Sequence, residues 1–277
     1  MTDEGRETPA PDAPRGDALH GAAARDAAEA YRRMFDGHDR ERVRRAGWAA
    51  AIAGALTDHF RPRSVVDIGC GLGFFLAAMG GRGADRLTGV DADWVEGLPT
   101  EIPRDRYLLH DLETPLPDLG RHDLAACLEV AEHLGAARGP SLVAELTALS
   151  DVVLFSAAIP GQGGRGHVNC RWQSYWAGLF AEHGHACYDP YRRRLAAMPD
   201  MAPWFAQNLL LFVREGGAVP DGIAPHRIAP QAADMVLPLV HTRLLRARER
   251  RFRAAVRQLE AAGLRFVPPG AAGGPDT

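Results

Sequence analysis

Residues 64–73, Ser-Val-Val-Asp-Ile-Gly-Cys-Gly-Leu-Gly, constrain the fold of this chain more than any other segment. The run 64–68 is too short and too β-branched for a helix, and it predicts a buried parallel strand. Gly69, Gly71 and Gly73 follow where that strand must turn sharply into a helix starting near Phe74. Glycine suits a backbone that approaches a ligand closely and takes positive φ. The free N–H groups at the start of the helix would face whatever lies over the turn. This arrangement predicts a nucleotide-type site at the first strand of an α/β sheet.

The glycine spacing bears on the ligand. A dinucleotide fingerprint reads G-x-G-x-x-G. Here the turn reads G-x-G-x-G, with Asp67 two residues ahead of the first glycine. An acid at that point suits the positive sulfonium and ammonium of S-adenosylmethionine (SAM). Leu-Thr-Gly-Val-Asp (87–91) predicts a second strand ending in an acid, Asp91, spaced to accept hydrogen bonds from ribose hydroxyls. Ala92 follows it at the cofactor edge. Leu-Leu-His-Asp-Leu (108–112) predicts a third strand ending in Asp111. His122 to Leu134 carries a fourth strand that runs into Glu129-Val-Ala-Glu132-His133.

These strand ends together make the sequence resemble the class I SAM-dependent methyltransferases over roughly residues 40–215. The resemblance implies that Asp67, Gly69, Cys70, Gly71 and Gly73 hold the methionine part of SAM. It implies that Asp91 holds the ribose, that Asp111 and Leu112 bracket the adenine, and that Glu129 to His133 lie beside the reacting methyl group. The segment Glu129-Val-Ala-Glu132-His133 is similar to the E-x-x-E-H of ubiquinone-pathway O-methyltransferases and small-RNA 2′-O-methyltransferases. In some of those the acids and histidine bind a divalent metal. Plainer roles stand beside these: Asp111 can cap a helix, and Glu132-His133 can begin a surface helix.

Composition narrows the chemistry. All 32 Lys+Arg residues are arginine, so Schiff-base catalysis and a P-loop lysine are excluded. The net charge of −3 argues against general nucleic-acid binding. Cys70, Cys127, Cys170 and Cys187 form no C-x-x-C pair and read as reduced residues of a cytoplasmic protein. The N-terminus lacks the apolar segment of a secretion signal. The longest nearly apolar run, near 46–56, is too short to span a membrane.

The expected organisation is a disordered tail over 1–25, a methyltransferase domain with N-terminal cap helices over 26–214, a loop and amphipathic helix over 215–267, and a second tail over 268–277. Strands are predicted near 64–68, 86–90, 106–109, 123–128, 152–156, 186–190 and 208–214. Helices are predicted over 42–59, 73–79, 140–149 and 172–183, while the Pro-rich 92–103 reduces the helix after strand two to a turn. Along 42–59, Val43, Trp48, Ile52 and Leu56 fall near one face. Tyr31, Arg32 and Arg33 precede it and are candidates to reach substrate or the SAM carboxylate. The alternation predicts an open, mostly parallel sheet. The resemblance makes it a doubly wound, seven-stranded, Rossmann-like sheet closed by an antiparallel hairpin.

Two later segments add candidates. Residues 161–166 hold four glycines after strand five, which suits a lid that closes on substrate. His167 ends this loop and is a candidate base or metal ligand. Trp172 and Trp176, at i and i+4, read as core or as a substrate wall. Over 232–262 an apolar stripe from Leu237 to Leu259 predicts one long helix with seven arginines after His241. That helix could pack on the domain, form a dimerisation arm, cap the site, or meet nucleic acid.

The reading that follows is methyl transfer from SAM to a nucleophilic O, N or C of a small molecule, with a sugar or secondary metabolite favoured by analogy. His133 or His167 would contact the nucleophile, and Glu132 would orient a histidine. A divalent ion such as Mg²⁺, held by the E-x-x-E-H group, would instead lower the acceptor hydroxyl's pKa. The expected partner is therefore a small-molecule acceptor, with a homodimer as a candidate assembly and no membrane or nucleic acid. The rivals are a methyltransferase acting on RNA or protein, an NAD-dependent dehydrogenase, and a non-catalytic SAM-binding protein.

Overall fold

The β-branched run 64–68 forms strand β1 (Ser64–Ile68), buried along its whole length. The computed structural model describes residues 39–262, apart from 233, 235 and 236. The tails 1–25 and 268–277, and with them Tyr31, Arg32 and Arg33, lie outside the described residues. In chain order, α1 (Asp39–Thr57) precedes β1, and α2 (Phe74–Gly80) leads from it to β2 (Arg86–Asp91) and β3 (Tyr107–Leu109). Then come β4 (Leu124–Leu128), α3 (Arg138–Leu149), β5 (Val152–Ser156), α4 (Gln173–Glu182) and β6 (His185–Tyr188). Two short helices, α5 (Arg192–Ala196) and α6 (Pro203–Asn208), precede β7 (Leu210–Arg214), and α7 (Thr242–Ala261) follows.

The seven strands order as β3-β2-β1-β4-β5-β7-β6. Strand β7 runs antiparallel to both β5 and β6, and the other pairs are parallel. This is the expected Rossmann-like sheet with its closing hairpin. Strand order reverses between β1 and β4, which makes that point the topological switch where open α/β sheets bind ligands.

Both faces of the sheet are covered, so successive residues of one strand enter different cores. Val65, Leu124, Leu154 and Leu211 face α1, α2, α5 and α6. Val66, Ala125, Val153 and Phe212 face α3 and α4. On that second side Phe180 of α4 stacks on Phe212 with centroids 3.8 Å apart, and Trp176 packs on Phe155 at 5.2 Å. Among the described residues no helix is long and apolar enough to cross a membrane.

Four expectations change. Val43 is 71% exposed, whereas Trp48, Ile52 and Leu56 are buried, because α2 and the sheet begin to cover α1 only after its first turn. Trp172 is extended at the N-cap of α4 and 42% exposed, so it shares no helical face with the buried Trp176. The stretch 192–207 is more than a connection: it folds into α5 and α6, and Pro203 suits the first turn of α6. The last helix starts at Thr242 rather than near 232. Pro238 disfavours helix at the residue before it, and Leu237 instead buries its side chain in the α3–α4 core.

Phe180 carries the packing of α4 onto the sheet. Phe180→Ala should cost about 3–5 kcal/mol in urea denaturation, since the rings of Phe155 and Phe212 cannot collapse onto the space left. A loss below about 1 kcal/mol would show that α4 is not an integral part of the core.

Candidate active site

The site forms where the loops after β1 and β4 meet. Gly69, Gly71 and Gly73 all take left-handed φ, of 78°, 56° and 85°. A Cβ on residue 69 would lie 2.3 Å from Cγ2 of Val130, so only glycine lets the β1 turn sit against the segment after β4. Gly69 and Cys70 also donate backbone N–H groups to Val90 O, which ties the turn to β2. Cys70 is buried against Gly89.

Asp91 organises the edge of this turn. Its Oδ2 accepts from Gly71 N–H at 2.7 Å, and its Oδ1 accepts from Ala92 N–H at 2.8 Å and the Trp94 indole at 2.7 Å. Asp67 lies beneath the turn with 3% exposure. Asp111 is exposed and accepts from Glu113 N–H at 3.0 Å, a local turn, while the neighbouring Leu112 is buried. Asp67, Asp91, Leu112 and the glycines therefore surround the carboxyl ends of β1 and β2.

On the other side of the switch point the chain bends at Glu129, whose φ is 57°. A left-handed conformation costs a residue with a side chain about 1–3 kcal/mol. The bend is held by Ser156, whose carbonyl and Oγ both accept from Glu129 N–H, at 2.9 and 3.1 Å. The next turn presents Glu132 and His133. The glycine-rich loop folds back over it: Val168 and Asn169 donate N–H groups to Glu132 O at 2.8 and 3.0 Å, and Asn169 Nδ2 donates to Ala131 O at 3.3 Å. These bonds bring the His167 ring perpendicular to His133 with centroids 4.7 Å apart. One ligand atom from each of Glu132, His133 and His167 falls within 4.8 Å of the others. Glu129 stands apart from the three: its carboxylate accepts from Asn208 Nδ2 at 3.0 Å and from Gln162 Nε2 at 3.1 Å.

Residues 38–193, more than half of the chain, match the methyltransferase-domain family. The chain belongs to that family. Its fold is that of the class I, SAM-dependent methyltransferases. Among solved structures it is similar to an O-methyltransferase family protein from Burkholderia thailandensis, at 15% identity and TM-score 0.46, over 72% of this chain and 62% of that one. It is similar also to magnesium protoporphyrin IX methyltransferase from Synechocystis PCC 6803 with bound SAM, at 18% identity and TM-score 0.44, over 63% and 81% of the two chains. The sequence has no match among curated proteins.

Burial sets the electrostatics of the site. Both carboxylate oxygens of Glu132 are buried with no hydrogen-bond partner among the described residues. Burial, and then the charge of Glu129, push its carboxyl well above the usual range. Burial, and then the charge of His167, hold His133 down at about 4, and burial lowers His167 as well. Both imidazoles are therefore neutral at neutral pH, with lone pairs to offer. The Cys170 thiol lies 3.7 Å from Nδ1 of His167.

Several polar residues at this site escaped the sequence reading. Trp94, Gln162, Gln207 and Asn208 carry no motif; Trp94 bonds Asp91 three residues away, while the other three reach their partners only through the folded chain. Their one local signal is Gln162 itself, the sole side chain between Gly161 and Gly164.

Asp67 gives a test that needs no ligand. Burial, followed by the charge of Asp91, pushes its carboxyl up to about 8. An unfolded aspartate ionises near pH 4. As pH rises between these values the unfolded chain gives up a proton that the folded chain keeps, so this group's contribution to stability falls. Thermal melts of the wild type and Asp67→Asn should therefore diverge in favour of the variant from pH 5 to pH 9. A Tm difference that stays constant over that range would mean that Asp67 ionises at an ordinary pH.

Proposed function

We propose that this chain transfers the methyl group of SAM to a nucleophilic oxygen of a small molecule, with N or C as alternatives. The observation that carries the reading is the convergence of Glu132, His133 and His167 at the switch point, beside a glycine turn backed by Asp67 and Asp91. When bound there, SAM supplies a methyl group on a positively charged sulfur. Asp67 lies where its carboxylate can answer that charge. Asp91 offers the remaining lone pairs of its two oxygens to ribose hydroxyls, and Leu112 gives the adenine an apolar neighbour. Asp111, Gly69, Gly71, Gly73, Cys70 and Ala92 shape the rest of the cofactor wall.

The reaction is an in-line displacement, so the chain's task is to position the acceptor and to manage its proton. The neutral imidazoles of His133 and His167 are the groups able to take a hydroxyl proton, with Glu132 orienting them. The same three residues fit a divalent cation. A buried carboxylate without a partner is costly unless something completes it, and two imidazoles with one carboxylate suit Mn²⁺, Fe²⁺ or Zn²⁺ better than Mg²⁺. Held by Glu132, His133 and His167, such an ion would lower the pKa of an acceptor hydroxyl.

Calorimetric titration decides among these readings. SAM and S-adenosylhomocysteine should bind the purified protein with micromolar affinity, and NAD should not. Absence of SAM binding sinks the proposal. Mn²⁺ should bind in a 1:1 ratio, and Glu132→Gln or His133→Ala should weaken it at least about tenfold, the order seen for lost metal ligation. Mn²⁺ binding unaffected by either variant would leave the histidines as proton acceptors alone.

A further inference from the structure

The acceptor side of the site is tied together by a chain of side-chain amides. Glu129 Oε1 accepts from Asn208 Nδ2 at 3.0 Å, and Oε2 accepts from Gln162 Nε2 at 3.1 Å. Gln162 Oε1 accepts in turn from Asn208 Nδ2 at 2.9 Å and from Gln207 Nε2 at 2.8 Å. Gln207 Oε1 then accepts the backbone N–H of His241, at the N-cap of α7, at 2.7 Å. From the far side α7 lies on the loop. The Arg251 guanidinium donates to Gln162 O at 3.4 Å. A Cβ on Gly161 would stand 2.5 Å from Nη1 of Arg248, and one on Gly163 would stand 2.8 Å from the Arg251 guanidinium. The loop's glycines are thus the surface on which α7 rests, and Gln162 anchors the loop through its side chain.

We infer that Glu129 is the post to which the acceptor wall is tied, rather than a member of the cation or cofactor set. It holds the glycine-rich loop through Gln162, α6 through Asn208, and α7 through Gln207. The wall so formed draws on residues 207, 208, 241, 248 and 251, all beyond the segment 38–193 that matches the family. On that reading, the choice of acceptor draws on side chains beyond the matched segment. This assignment of an acceptor side rests on the function proposed above; the tie itself does not.

Two variants of the full-length protein test the tie, read by hydrogen exchange of peptides covering 160–168. Gln162→Ala removes the anchor from the loop side and leaves every strand intact. Glu129→Gln keeps the shape of the post but replaces one acceptor oxygen with a donor that faces donors. Both should speed exchange of the loop amides about tenfold or more, since exchange tracks local opening. Both should leave the affinities for S-adenosylhomocysteine and Mn²⁺ within about threefold of the wild type, as expected for groups outside those sites. Unchanged loop exchange in Gln162→Ala overturns the inference, as does loss of Mn²⁺ binding in Glu129→Gln, which would make Glu129 a ligand. If Glu129→Gln does not fold, Gln162→Ala and Asn208→Ala decide by the same exchange measurement. A wild type that binds neither SAM nor Mn²⁺ removes the functional reading, while the loop exchange still decides the tie.

Discussion

The close approach of Val130 to Gly69 is the contact on which the site depends. It lies at the reversal of strand order, where the loops after β1 and β4 leave neighbouring strands in the same direction. Any side chain at residue 69 would have to displace Val130, and with it the bend at Glu129 and the turn that carries Glu132 and His133. The cofactor turn and the Glu132–His133 turn are thus set against each other by one glycine and one valine. Parallel pairing of β1 with β4 fixes the rest of their separation, with Asp67 opposite Ala126.

Around that contact the chain keeps polar groups where burial is expensive. Asp67 and Glu132 are both buried carboxyls, and Glu129 holds a left-handed bend. None of these choices helps folding. Each raises the free energy of the native state by an amount that apolar packing elsewhere must offset. Apolar packing such as the stack of Phe180 on Phe212, on the α3–α4 side of the sheet, supplies part of that compensation. On the function proposed above, a cation at the switch point, a sulfonium or a metal ion, would relieve that cost where it is concentrated.

The glycine-turn side of this architecture was legible in the sequence because it is local. A strand, a turn and a helix within twenty residues carry Asp67 and the three glycines, and strand ends β1 and β5 fall at the expected residues. The shortened turn after β2 was legible too, from its prolines. The side tied together around Glu129 was not. Asn208 meets Glu129 across 79 positions, and His241 meets Gln207 across 34. An isolated amide in a loop has no period and no motif, so nothing in the local pattern distinguishes Gln162 from any other polar loop residue. The misplaced start of α7 has a different cause. Leu237 and Val240 fit the helical stripe, but Pro238 sits between them, and the packing of Leu237 into the core outweighs periodicity.

This split between halves has a physical basis. A cofactor that is the same for every member of a family can be held by backbone geometry, and backbone geometry is written in short motifs. An acceptor that differs from one member to the next must be met by side chains drawn from wherever the fold brings them. Here those side chains come from α6 and from the arginine-bearing α7, packed onto a loop whose glycines leave room for guanidinium groups. All five residues that complete this wall carry an amide, an imidazole or a guanidinium group, and none carries a carboxylate. An acceptor rich in hydroxyl or carbonyl oxygens, or one carrying negative charge, meets such a wall without leaving its own polar groups unpaired. On the function proposed above, such a wall would favour oxygen nucleophiles over protonated amines, and the Glu132–His133–His167 cluster would be the group to manage their proton.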